Sequence, residues 1–107
     1  MPVSGKYRDY VLGQLACLGS VTGKSMFGGV GLYLDGVFFA LIADDVLYFK
    51  VGPSNRADYE SAGMEPFRPF AKKSAMPYYQ VPVDVLEDSD QLRAWGRKAH
   101  DAAARTF

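Results

Sequence analysis

A chain of 107 residues, 49% hydrophobic and 14% aromatic, has enough apolar material for one packed core and too little length for two. Twelve basic side chains balance twelve acidic ones, so bulk attraction to nucleic acid or to an anionic membrane is not implied. The single cysteine, Cys17, excludes an intramolecular disulfide and a multi-cysteine metal site.

The N-terminal stretch MPVSGKYRDY lacks an apolar signal core. The uncharged runs 25–34 and 36–43 are shorter than the ~20 residues that a membrane-spanning helix needs. One cytoplasmic domain over residues 1–107, with no membrane partner, is expected.

Residues 4–18 read as an amphipathic helix. Tyr7, Val11, Leu15 and Leu18 recur at i+4 and i+3 steps, Ser4 can cap the start, and Gly19 can end it. Cys17 flanks this stripe and reads as a small buried hydrophobe.

The next stretch, GSVTGKSMFGGVG at 19–31, invites a phosphate-loop reading. The motif needs four residues between its glycines, and the first glycine would fall on Leu18. A phosphate loop also runs from a strand into a helix, whose N-terminus faces the anion. Here a helix precedes and strands follow, so Lys24 reads as a solvated strand residue. A dinucleotide fingerprint starting at Gly29 fails at Leu34. Gly28 and Gly29 instead suit a bend, a bulge or a close backbone approach.

Residues 24–51 read as strands. VGLYL, VFFALIA and VLYFKV are separated by Asp35-Gly36 and Asp44-Asp45, turns short enough to require antiparallel pairing. The middle run is apolar throughout 37–43 and should be central, with both faces at least partly covered. Leu47, Phe49 and Val51 should share one face, with Val46, Tyr48 and Lys50 on the other.

A short helix is expected over 54–62, with Ser54 or Asn55 as cap and Gly63 as stop. The run MEPFRPFAKKSAMP carries three prolines and reads as a loop. YYQV, ended by Pro82, suits a further strand at the sheet edge. The last helix starts near Asp88, paired with Gln91 as a capping box, and buries Leu92, Trp95, Ala99 and Ala102. His100 falls off that stripe and is expected on the surface. The fold class is α+β, a two-layer arrangement. An antiparallel sheet, a meander plus one further strand, carries the N- and C-terminal helices on one face. What covers the other face stays open at this point.

No catalytic, metal or cofactor constellation emerges, so the chain is read as non-enzymatic. Two surface segments stand out: Met26, Phe27, Gly28 and Gly29, and the loop with Phe67, Arg68, Phe70, Lys72 and Lys73. Large apolar groups lie there among glycines and prolines, either as an interaction surface or as core filling. Arg68, Lys72 and Lys73 interleaved with aromatics could also hold single-stranded nucleic acid by phosphate contact and stacking.

The stretch SMFGGVGLYLDGVFFALIADDVLYFKV, followed by AGMEPF, MPYYQVP and LRAWGRKA, resembles the TfoX (Sxy) N-terminal domain family from about Tyr10 to Ala99. The resemblance implies an α+β domain of bacterial regulators of natural competence, with the transcription machinery as the class of partner and no catalytic residues. The chain ends at Phe107, so it is similar to members lacking the C-terminal helical domain. The expected function is a regulatory, protein-interaction domain, self-associating as a homodimer or joined to another protein. The alternative is an auxiliary nucleic-acid module using the 68–73 loop, although nucleic acid is not expected as the main partner.

Overall fold

The computed structural model describes residues 3–26, 28–68 and 76–105. Five antiparallel strands lie in chain order: β1 (Val21–Met26), β2 (Gly29–Leu34), β3 (Val37–Ala43), β4 (Val46–Lys50) and β5 (Tyr78–Gln80). Around them stand α1 (Gly5–Leu15), a 3-10 turn (Ala16–Leu18), α2 (Arg56–Ser61), α3 (Val83–Leu86) and α4 (Ser89–Ala104). This is the expected two-layer α+β architecture.

The helix ends follow the sequence signals. Ser4 Oγ accepts from the Tyr7 amide at 3.1 Å, and the 3-10 turn closes α1 before Gly19, at φ +131°. Asp88 Oδ1 accepts from the Asp90 and Gln91 amides, while the Gln91 side chain donates to Asp88 Oδ2 rather than to the Asp88 backbone. These bonds hold the Asp88 carboxyl below its usual range, the Gln91 side chain contributing most. At the end of α2, Met64 N–H reaches the Tyr59 carbonyl and Gly63 N–H the Glu60 carbonyl, with Gly63 at φ +74°. That is a Schellman ending.

The turns also match. Asp35 (φ 53°) and Gly36 (φ 77°) both take the left-handed region that a tight hairpin requires. So do Asp44 and Asp45, and Asp45 Oδ1 also accepts the Ser4 N–H at 2.8 Å. The start of α1 is thereby tied to the β3–β4 turn.

Several features depart from the sequence reading. The strand region starts at Val21 rather than 24, because β1 pairs with β2 along its whole length, Val21 to Leu34 through Met26 to Gly29. The residues 83–86 form a separate helical turn before α4. Asn55 precedes α2 but makes no cap bond. Buried to 1% exposure, it accepts from Gly52 N–H and donates to the Lys50 carbonyl, tying the chain down after β4. His100 is a correction too. It is half-buried, edge-on to Phe39, with Nε2 2.9 Å from the Leu34 carbonyl. A carbonyl only accepts, so Nε2 carries the proton. The helix stripe alone could not reveal a partner 66 residues away.

The core lies between the sheet and α1 and α4. Val11, Leu15, Leu32, Phe39, Ile42, Leu47, Phe49, Leu92 and Ala99 are fully or almost fully buried there. Register explains one irregularity. β2 and β3 shift at Leu32/Tyr33, leaving Phe39 as an extra residue in β3. This bulge turns Phe39 and Ala40 in succession towards the helices, and alternation then resumes. Cys17, Leu18 and Trp95 pack half-buried against this core. Gly96 lets Leu18 approach α4: a Cβ there would lie 2.6 Å from Leu18 Cδ1.

Candidate interaction face

Among the described residues, no helix packs on the sheet's other face. Alternation places Leu41 and Ala43 of β3, Tyr48 of β4 and Tyr78 of β5 on it, opposite the main core. Phe38 joins them just before the bulge. Phe67 folds over this group and is 8% exposed. Ring centroids are 4.9 Å apart for Tyr48–Phe67, 5.6 Å for Phe38–Tyr78 and 5.4 Å for Tyr33–Phe38. The open question of what covers this face is therefore answered in part by the segment around Phe67.

That segment is held as a short additional strand. Phe67 N–H donates to the Tyr78 carbonyl at 2.7 Å, Gln80 N–H to the Glu65 carbonyl, and Pro66 bridges Tyr79. Met76 N–H closes back on the Phe67 carbonyl. The outer edge of β5 is thus occupied.

Of the residues singled out in the sequence, Met26 and Phe67 fall on this same helix-free face. The Met26 thioether and the Phe38 ring crowd the space above Gly31, where a Cβ would meet Met26 Cε at 2.6 Å and Phe38 Cε1 at 3.2 Å. Gly28, at φ +79°, turns the chain between β1 and β2. Gly29 allows close backbone approach, since a Cβ there would lie 2.6 Å from the Ile42 carbonyl oxygen. Arg68 is exposed beside Phe67. Phe27, Phe70, Lys72 and Lys73 lie outside the described residues.

Chemically, the face is aromatic with hydroxyls and cations at its border. Tyr33, Phe38 and Tyr48 remain half-buried. Burial, with the Asp44 charge second, raises the Tyr48 hydroxyl from its ordinary value; burial, with Tyr33 second, raises Tyr78. Lys50 Nζ stands 5.3 Å from the Tyr78 ring centre. Beside Tyr33 an open groove of ≈ 570 Å³ is lined by Ser20, Thr22, Gly23, Lys24, Tyr33, Asp35 and Gly36. The groove and Tyr33 escaped the sequence reading, because they need the β1–β2 register. Among the described residues, no three His, Cys, Asp or Glu side chains come together as metal ligands, and no helix is long and apolar enough to cross a membrane.

An antiparallel five-strand meander with helices sealing one face and aromatic rings on the other defines a small two-layer α+β domain. Within it, the TfoX N-terminal domain family model matches residues 13–103, and the chain belongs to that family. It is 40% identical over 66 residues to the DNA transformation protein TfoX1 of Aliivibrio fischeri (strain ATCC 700601 / ES114). That match takes in 60% of this chain and 32% of the relative, about a third of its length.

Proposed function

We propose that this domain is a non-enzymatic regulatory module that acts by binding another protein through its helix-free face. The observation that carries the reading is the half-buried aromatic row Tyr33–Phe38–Tyr48 on a sheet whose opposite face is already sealed. Aromatic groups that keep part of their surface in water suit association with a partner. The family and its relative named for DNA transformation support a regulatory setting; the transcription machinery is the partner class proposed here.

A tagged pull-down from the source organism's lysate, with and without nuclease, tests this. The expected result is a specific protein recovered under both conditions and lost with Tyr33→Ala, whose melting temperature stays close to wild type. Recovery that disappears with nuclease favours the nucleic-acid reading and overturns this one.

A further inference from the structure

The two edges of the sheet differ. The outer edge of β5 is hydrogen-bonded to the Glu65–Phe67 segment, whereas β1 ends the sheet with no strand beyond it among the described residues. In an antiparallel ladder, alternate residues direct their backbone groups outward. The Gly23 carbonyl is one of these, because Arg8 Nη2 reaches it from α1 at 3.2 Å. By alternation Ser25 also faces outward. Such an edge is a template for another strand.

Charge selects the occupant. Lys24 and Arg8 straddle Gly23, Lys24 lining the groove and Arg8 coming from α1. Neither makes an ion pair among the described residues. No Asp or Glu occurs anywhere in 20–34, and Asp35 is the one acidic residue among those lining the groove, so a second copy paired along β1 would set cations against cations along the strand itself. We infer that β1 accepts an extended acidic segment of a partner protein as a further strand on its open edge. This rests on the protein-binding reading above and names the partner's chemistry. Backbone groups at Gly23 and Ser25 would hold the added strand, Lys24 would pair with its carboxylates, and Arg8 would exchange the Gly23 carbonyl for a partner acid. The Ser20, Thr22 and Tyr33 groove would receive side chains on that side.

The test is an amide NMR titration with a short peptide alternating valine and glutamate. The expected result is slowed hydrogen exchange at Gly23 and Ser25, with binding weakened by salt. Ser25→Pro removes an outward N–H without touching the β1–β2 ladder and should abolish binding while preserving the melting temperature. Lys24→Glu should weaken the glutamate peptide by roughly tenfold and gain binding to a valine–lysine counterpart. Absence of binding, equal binding of both peptides to the wild type, or shifts without protection at Gly23 and Ser25 would overturn the assignment. If lysate capture survives Ser25→Pro but not Tyr33→Ala, the edge assignment fails while the protein-binding reading stands. Purely nuclease-sensitive capture removes that reading itself.

Discussion

The two faces of the sheet are covered by different means. On one, α1 and α4, from opposite ends of the chain, close over residues such as Phe39, Leu47 and Phe49, all at 0–1% exposure. On the other, Phe67 meets Leu41, Ala43 and Tyr78 at 3–9% exposure, and neighbouring rings stay partly in water. The two-helix cover seals its face, whereas among the described residues Tyr33, Phe38 and Tyr48 on the other face keep part of their surface in water.

The largest test of this contrast sets Phe39→Ala against Phe67→Ala. Truncating a buried Phe costs about 3–5 kcal/mol, and more where the site cannot collapse. Phe39→Ala should approach about 5 kcal/mol and Phe67→Ala about 3 kcal/mol, read by urea unfolding. Equal losses would erase the distinction between the faces.

A second test repeats one substitution at two helix glycines. Gly96→Ala must displace Leu18, and overpacking of about 1–3 kcal/mol outweighs the helix-propensity gain. Gly13 has open space around its missing Cβ, so Gly13→Ala should stabilise by roughly 0.5–1 kcal/mol. Thermal melts of the two variants should shift in opposite directions.

The smallest effect concerns Tyr59, 1% exposed, edge-on to Trp95 at 4.7 Å, with its hydroxyl lacking a hydrogen-bond partner among the described residues. Tyr59→Phe removes that cost and should be neutral or stabilising by up to about 1 kcal/mol. Burial, with Asp58 second, pushes the Tyr59 hydroxyl far up. The folded state therefore resists ionisation that the unfolded chain undergoes near pH ~10, and stability falls as pH rises past that point. Tyr59→Phe should reduce this alkaline loss, read by melts across pH.

What the sequence made legible was local chemistry: the Ser4 and Asp88 caps, the Asp35-Gly36 hairpin, the alternation in β4, and the Gly63 stop. Each depends on residues within a few positions. The missed features have different origins. His100 takes its place from Leu34, 66 residues away; Asn55 bonds nearby Gly52 and Lys50 but clamps the chain after β4 instead of capping α2; and the extent of β1 follows from its register with β2. The candidate site was half legible. Met26 and Phe67 were named from composition, but their common face, and the Tyr33 groove, exist only once register is set.

The order of the strands also has a kinetic consequence. From Val21 to Lys50 every strand pairs with the next, so each closure spans a short loop at small entropic cost. The helix layer needs contacts such as Gln14 Nε2 to the Leu86 carbonyl, 72 residues apart. A chain emerging from its N-terminus can thus assemble the four-strand ribbon early, while its apolar side waits, unsealed, until α4 has been made.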